Sequence, residues 1–231
     1  MGLDRRGERP YHWRTPRPPE PIAAAGGEMG KPVFVVFEGG EGSGKSTQAK
    51  ALTHRLRKVG VPALLTHEPG GTPIGGRLRR WLKFGRGVTT PSELLCFEAA
   101  RSQLVTQVIR PALARGQAVV CDRFTASTVA YQGYGRGIDL GLIESLNEFV
   151  TDGLKPDLTV LLDLGAEQGL GRKRSRGDCF EREEFGFHLR VRDGYLKLAA
   201  ADPEKWLVVD AMLPVDQVEG MVWGRVQRLL V

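Results

Sequence analysis

Cysteine is scarce in this sequence of 231 residues, and the few that occur lie far apart. The three cysteines, Cys96, Cys121 and Cys179, are an odd number and show no Cys-x-x-Cys spacing. This pattern argues against a disulfide framework and against a zinc site. We therefore expect a reducing environment, with a cytoplasmic location as the default.

Long apolar runs are also missing. No stretch approaches the roughly 18 apolar residues that a membrane-spanning helix needs, and the start of the chain lacks the charged-then-apolar pattern of a signal peptide. The hydrophobic fraction of 41% and the charged fraction of 26% are ordinary for a globular protein. We expect no membrane partner and a single α/β domain, for which this length is sufficient.

Acidic residues are outnumbered, 27 against 33 lysines and arginines, which gives a net charge of +6. Part of the excess lies among the first twenty residues and part between Arg172 and Arg176. An excess of positive charge is compatible with binding either nucleic acid or small anionic substrates. Charge alone leaves both interpretations open.

The first thirty residues differ from the rest because they are rich in proline, arginine, glycine and alanine. Such a segment cannot bury enough apolar surface to offset its ordering entropy. We predict a disordered leader over residues 1–30 and a folded domain over residues 31–231. A basic tethering or targeting role for the leader is the less favoured alternative.

From Lys31 onward, short apolar runs alternate with longer amphipathic segments. Continuous apolar, β-branched runs predict buried parallel strands, and their alternation with helices predicts a parallel sheet covered on both faces. The predicted strands are Val33–Phe37, Pro62–Thr66, Ala118–Cys121, Leu158–Leu164 and Trp206–Val209. The predicted helices are Ser46–Val59, Ile74–Phe84, Ser92–Arg115, Leu140–Thr151, Glu183–Ala200 and Val215–Leu230.

The strongest local motif is a glycine-rich loop that satisfies G-x-x-x-x-G-K-[ST], with a predicted strand before it and a helix after it. Glycines let backbone amides converge on phosphate oxygens, and the helix N-terminus adds a favourable dipole. Lys45 would bridge the β- and γ-phosphates of ATP, and the Ser46 hydroxyl would ligate Mg²⁺. The predicted ATP-binding residues are Gly39, Gly40, Glu41, Gly42, Ser43, Gly44, Lys45, Ser46 and Thr47.

A phosphate loop alone does not name a reaction, because motors, GTPases and small-molecule kinases all use it. The sequence contains no Asn-Lys-x-Asp, so the guanine-reading element of GTPases is missing. It contains no Leu-Ser-Gly-Gly-Gln, which argues against a transporter ATPase.

Polar segments follow two of the predicted strands, at the sheet edge where ligands collect in open α/β folds. They are Thr66–Thr72 and Asp122–Phe124. Between them, Phe97 and Arg101 are four residues apart and share a helix face. A ring and a guanidinium on one face can stack on a base and donate to its carbonyl edge. Taken singly, a core phenylalanine and a solvated arginine are the simpler interpretations.

Four motifs in this order resemble bacterial thymidylate kinase, from about Val33 to Ala211. They are Glu-Gly-x-Glu-Gly-x-Gly-Lys-Ser-Thr, Glu-Pro-Gly-Gly-Thr, Phe-x-Ala-x-Arg, and Asp-Arg-Phe followed by Ser-Thr-x-Ala-Tyr-Gln-Gly. The resemblance implies an α/β P-loop NTPase fold with a five-stranded parallel sheet and a short arginine-rich lid. It also implies phosphorylation of dTMP to dTDP with ATP and Mg²⁺ as part of dTTP synthesis, in a homodimer.

The same resemblance implies roles for individual residues. Phe97 would stack on thymine, Arg101 would donate to its O4, and Arg79 and Arg123 would hold the dTMP phosphate. Asp122 and Glu68 would act near Mg²⁺ and its waters, with Ser46 and Asp122 as the metal-binding pair. The remaining substrate-binding candidates surround the base, the deoxyribose or the acceptor loop: Glu41, Pro69, Thr128, Tyr131 and Gln132.

Four cations occupy five positions in Arg172–Arg176. A solvated basic surface or a nucleic-acid patch is the alternative, but after the fourth strand of such a kinase they predict a mobile lid. Because the phosphate loop contains no arginine, the lid must supply the one that stabilises the transferring phosphoryl group. Arg174 is the first candidate, followed by Arg172 and Arg176, with Lys45 and Arg123 completing the predicted catalytic set.

Two positions depart from the family pattern. Cys179 stands where family lids often carry arginine, and Arg182 is a candidate substitute. His67 stands where arginine usually precedes Glu-Pro-Gly-Gly-Thr, and we interpret it as a solvent-facing loop residue. The adenine site is expected near Val208–Leu213, and the apolar positions of 93–109 give weak support for the dimer.

Two other functions stay open from sequence alone. One is a kinase for a different nucleotide or nucleoside, such as dUMP, dCMP or a deoxynucleoside. The other is a non-enzymatic protein in which the basic segments bind nucleic acid and the phosphate loop is a regulatory nucleotide site.

Overall fold

The computed structural model describes residues 32–85, 87–172 and 183–230. The predicted leader over residues 1–30 and the arginines Arg174 and Arg176 lie outside these ranges, as do Cys179 and Arg182. The boundary between leader and domain therefore stays a prediction.

Five parallel strands form one sheet in the order β2-β3-β1-β4-β5 within the described residues. This confirms the predicted α/β class, and each predicted strand agrees with the structure to within one residue at either end. The strands are β1 (Phe34–Glu38), β2 (Ala63–His67), β3 (Ala118–Asp122), β4 (Leu158–Asp163) and β5 (Trp206–Asp210). Strand β1 is central, and its register pairs Phe37 with Asp122 on one side and with Val160 on the other.

Helices cover both faces of the sheet. They are α1 (Lys45–Lys58), α2 (Pro73–Phe84), α3 (Thr90–Leu104), α4 (Arg110–Ala114), α5 (Thr125–Thr128), α6 (Leu140–Thr151), α7 (Ala166–Gly171), α8 (Phe185–Ala201) and α9 (Val215–Gln227). Two π-helical segments, Val105–Ile109 and Val129–Gly135, join α3 to α4 and extend α5. Within the described ranges, none of these helices combines the length and the apolar character that a bilayer crossing requires.

The core lies on both sides of β1 because successive side chains of a strand point to opposite faces. Val35 and Phe37 pack with α1 and α9 residues such as Leu56 in one cluster. Phe34 and Val36 pack on the other face with residues of α3 and the following π-helical segment. This double burial explains the continuous apolar run in the sequence.

The helix predicted over Ser92–Arg115 is interrupted. It follows α-helical geometry to Leu104, changes to π-helical geometry over Val105–Ile109 and resumes as α4. Helical segments over Thr125–Gly135 and α7 were not predicted. Most of the first is buried on all sides, so it shows no amphipathic period, and α7 has only six residues.

Candidate active site

The phosphate loop runs between the end of β1 and the start of α1. The ammonium of Lys45 folds back into it and donates to the carbonyl oxygens of Gly39 at 3.0 Å and Gly40 at 2.7 Å. Burial, followed by the positive charge of Arg123, lowers the pKa of Lys45 to about 8. The amine is therefore poised to gain a negative partner.

Gly42 lies where this loop approaches helix α7. Its φ of 70° is left-handed, and an added Cβ would collide with the backbone carbonyl of Gly169. A side chain at this position would therefore both strain the backbone and push the loop away from α7. The contact joins the phosphate loop to the helix that leads into the arginine-rich segment.

Ser46 and Asp122 meet across the sheet edge, where the Ser46 hydroxyl donates to the Asp122 carboxylate. One residue stands in the first turn of α1 and the other at the C-terminus of β3. The pair places two oxygen ligands beside the phosphate loop, and oxygen ligands are what Mg²⁺ prefers. The donor set therefore fits this cation.

Arg123 adopts a left-handed backbone with φ of 74°, which is rare for a residue with a side chain. Its guanidinium donates to Glu41 at 2.7 Å, to the Gly39 carbonyl at 3.1 Å and to the Tyr131 hydroxyl at 3.2 Å. The guanidinium thus spans the phosphate loop and the segment after β3.

The carboxylate of Glu38, the last residue of β1, holds the segment that follows Arg123. It accepts from the Phe124 amide at 2.8 Å, from the Ser127 hydroxyl at 2.6 Å and from the Tyr195 hydroxyl at 2.8 Å. Burial raises the pKa of Glu38, against the opposing charge of Arg123. The carboxylate holds the backbone on the C-terminal side of Arg123 in place.

Arg101 is 1% exposed, so the interpretation as a solvated charge was wrong. Its guanidinium pairs with Glu68 at 2.7 Å and Glu98 at 2.7 Å, and it also donates to Thr128 at 2.9 Å and Asn147 at 2.8 Å. Burial raises the pKa of Glu68 to about 7, partly offset by Arg101. The arginine is rigidly held by residues from four segments.

Gln132 and Glu93 form a second buried polar group at the far end of the site. The Gln132 amide nitrogen donates to Glu93 at 2.6 Å. Arg136 donates to both oxygens of the same carboxylate at 2.7 and 3.1 Å, and it also pairs with Glu183 at 2.9 Å. Glu183 is the first described residue after the arginine-rich segment.

A cleft of about 640 Å³ brings most of the predicted residues together, although Gly39 and Gly40 are not part of its lining. Phe97 is half-buried on its wall, and exposed His67 lies at its edge beside Gly70. Burial, followed by the charge of Arg79, lowers the pKa of His67. The predicted residues that line the cleft are Glu41, Gly42, Ser43, Gly44, Lys45, Ser46, Thr47, Glu68, Pro69, Arg79, Phe97, Arg101, Asp122, Arg123, Thr128, Tyr131, Gln132 and Arg172.

Arg172 is the one member of the predicted lid trio that the described ranges include. Its guanidinium donates to the Ala211 carbonyl at 3.2 Å and approaches the Met212 sulfur at 3.3 Å. These residues belong to the stretch after β5 where the sequence predicts the adenine site. Arg172 thus lies between the phosphate loop and that stretch.

The sequence did not single out Glu38, Glu93, Glu98, Arg136, Asn147 and Tyr195. Most act through partners that are distant in the chain, such as Glu38 and Tyr195, which are 157 residues apart, whereas Glu98 pairs with Arg101 three residues further on. The local signals were a carboxylate at the end of an apolar strand, at Glu38, and the i, i+3 spacing of Glu98 and Arg101.

Comparison with known proteins agrees with this geometry. The model of the thymidylate kinase family matches residues 37–222. The chain is 48% identical over 200 residues to a thymidylate kinase of Thermomicrobium roseum, covering 85% of this chain and 95% of that protein. It is 46% identical over 201 residues to a thymidylate kinase of Deinococcus radiodurans, covering 86% and 97% respectively. A crystal structure of thymidylate kinase from Ehrlichia chaffeensis superposes with a TM-score of 0.71 at 36% identity, covering 84% of this chain and 98% of that one.

Proposed function

This chain belongs to the thymidylate kinase family, and from that premise we propose how its own residues carry out the reaction. It is an ATP-dependent nucleoside monophosphate kinase that phosphorylates dTMP, giving dTDP and ADP. The single observation that carries the residue assignment is the cleft that joins the phosphate loop to Phe97, Arg101 and Gln132.

On the donor side, Lys45 exchanges its loop carbonyl partners for oxygens of the β- and γ-phosphates of ATP. The exchange is favourable because the desolvated amine, with its pKa lowered to about 8, gains a strongly anionic partner. Backbone amides of residues 39–47 complete the cradle. Arg172 lies beside the Ala211 carbonyl, in a position to contact the adenosine end of ATP.

On the acceptor side, Arg79 and Arg123 clamp the dTMP phosphate. Arg79 already donates to the Pro69 carbonyl at 3.0 Å, so its guanidinium is directed along the acceptor loop. Arg123 is held by Glu41 and by the residues after β3. Two fixed cations orient the phosphate for in-line attack and neutralise its charge.

The pyrimidine occupies the far end of the cleft. Phe97 supplies a face for stacking, and Arg101 would donate to O4 by exchanging one of the five acceptors that now hold its guanidinium, which are Glu68, Glu98, Thr128, Asn147 and the Phe124 carbonyl. Tyr131 donates to Glu41 at 2.9 Å, which places both beside the deoxyribose. We also assign Glu68 to this end, as the carboxylate that holds Arg101.

Ser46 and Asp122 would hold Mg²⁺, since their oxygens adjoin the phosphate loop. When bound, the cation neutralises phosphate charge and orients the γ-phosphoryl group. Arg174 and Arg176, with Arg172, would supply the remaining positive charge. The attacking phosphate oxygen is already anionic at neutral pH, so no strong general base is required.

We also propose a homodimer formed through α2, α3 and α6, of which α3 contacts both of the others. Phe84 is 75% exposed, Leu95 57% and Phe149 83%, which is unusual for large apolar side chains on neighbouring helices. Within 93–109, Leu95 is exposed, whereas Leu94 and Leu104 face the protein's own core, so the contribution of that stretch to the proposed dimer rests on Leu95. A cytoplasmic location belongs to the same proposal and is consistent with the free thiols of Cys96 and Cys121.

Steady-state formation of ADP on addition of dTMP tests the assignment. Lys45→Ala should reduce turnover by about 100-fold or more, because it removes a group that stabilises the transferring phosphate. Lys155→Ala, an exposed lysine, is the matched control. Near-normal turnover by a folded Lys45→Ala variant would refute the role of this residue, and dUMP or dCMP turned over as fast as dTMP would refute the acceptor.

A further inference from the structure

In the side-chain amide of Gln132, the nitrogen has a hydrogen-bond partner and the oxygen has none among the described residues. The residue is 0% exposed and lines the cleft. Its Nε2 donates to Glu93 at 2.6 Å, while its Oε1 has no hydrogen-bond partner among the described residues. A buried carbonyl oxygen without a donor is costly unless a ligand supplies one.

Glu93 determines which end of that amide faces the cleft. Arg136 donates to both carboxylate oxygens, so Glu93 presents acceptors only. A reversed amide would place two acceptor oxygens against each other at a hydrogen-bonding distance, and the NH₂ end therefore stays on Glu93. Glu93 itself does not line the cleft, which leaves Oε1 as the polar end available to a ligand.

Arg101, the residue that the proposed function assigns to O4, contacts the same segment as Gln132. Arg101 reaches Thr128 at 2.9 Å, and Thr128 precedes Gln132 by about one helical turn along the same segment. Thymine and uracil carry an acceptor at O4 and a donor at N3–H on adjacent ring positions. Cytosine carries the reverse, a donor amine at C4 and a bare acceptor at N3.

We propose that Glu93 is a specificity-determining positioning residue. It fixes Gln132 so that its carbonyl oxygen accepts from N3–H, and the pocket thereby selects pyrimidines protonated at N3 over cytosine. This inference rests on the proposed function and deepens it. It does not separate dTMP from dUMP, because both carry N3–H, so the 5-methyl group must be recognised elsewhere.

The test compares kcat/KM for dTMP, dUMP and dCMP in Glu93→Gln. A neutral amide at position 93 can donate or accept, which frees Gln132 to turn and meet N3 of cytosine. We expect the ratio of kcat/KM for dTMP to that for dCMP to fall by about 10- to 100-fold, the range that a mispaired buried group produces. The value for dUMP should follow that for dTMP, and KM for ATP should stay within about twofold. Glu204→Gln, at an exposed position far along the chain, is the matched control.

A merely structural role for Glu93 would lower kcat/KM for all three nucleotides by the same factor, and that outcome overturns the proposal. A second arm uses the unaltered enzyme, so it holds even where the variant does not fold. dTMP methylated at N3 should compete with dTMP at least about 10-fold more weakly than dUMP does. Equal competition by the methylated nucleotide and dUMP refutes the inference while leaving dTMP-dependent phosphoryl transfer intact. Absence of dTMP-dependent ADP formation refutes the proposed function itself.

Discussion

Replacement of Arg101 by methionine should destabilise the protein more strongly above neutral pH than below it. The substitution keeps the apolar stem and removes a guanidinium that pairs with Glu68 and Glu98, both buried. Removing one partner of a buried ion pair costs about 3–5 kcal/mol, because it leaves an uncompensated charge. That loss is a large part of the 5–15 kcal/mol that typically stabilises a domain.

The pH dependence follows from the carboxyl groups left behind. Burial already raises the pKa of Glu68 to about 7 in the presence of Arg101, and loss of the arginine removes the main opposing influence. A carboxyl whose pKa is raised by folding binds its proton more tightly in the folded state. Stability therefore falls as pH rises from the unfolded value near 4.3 through the folded one, by about 1.4 kcal/mol per pH unit for one group. Lowering the pH should therefore restore part of the free energy of unfolding that Arg101→Met loses.

Urea unfolding at pH 5.5 and pH 8 measures this directly. Arg228→Met, at an exposed position, is the matched control and should change little. The double variant Arg101→Met with Glu68→Gln should recover part of the loss, since it removes one stranded charge. A deficit below about 1 kcal/mol at pH 8, or one that grows on acidification, would refute the reasoning.

Three further outcomes are expected. Because the pKa of Lys45 is lowered to about 8, KM for ATP should rise between pH 7 and pH 9.5 in steady-state assays, and a flat profile would contradict the assignment. Tyr195→Phe removes a hydroxyl that contacts Arg123 at 3.3 Å, so kcat should fall by about 10-fold or more with KM for ATP unchanged; loss of ATP affinity alone would argue otherwise. Gly42→Ala should weaken ATP binding in calorimetry by about 10-fold or more, whereas Gly220→Ala, with open space around it, should not.

The sheet and the phosphate loop could be predicted because each is specified by residues that are close together in the sequence. Strand β1 is apolar on both faces, and a glycine-rich loop followed by Lys45 needs no distant partner to be recognised. The pairing of Phe97 with Arg101 on one helix face was also accessible from spacing. What spacing could not give was the burial of Arg101, because its partners Glu68 and Asn147 come from other elements.

The interrupted helices escaped prediction for a different reason. Periodicity reports a helix only when one side meets solvent, and Val129–Gly135 is buried on nearly every side. The orientation of Gln132 was equally hidden, since it depends on Glu93, 39 residues earlier in the chain. Polar networks of this kind are assembled by tertiary packing and leave no mark in the local sequence.

The π-helical segment Val129–Gly135 also determines how the protein should respond to deletion of a single residue there. Removal of one residue there would let the backbone relax into ordinary α-helical bonding, so the segment itself would tolerate the deletion. Such a segment behaves as an α-helix that carries one extra residue, so the side chains beyond the deletion would keep nearly their present directions relative to Thr128. Single-residue deletions between Thr128 and Gln132 should therefore be tolerated better than deletions in an uninterrupted α-helix, where each one turns all following side chains by about 100°.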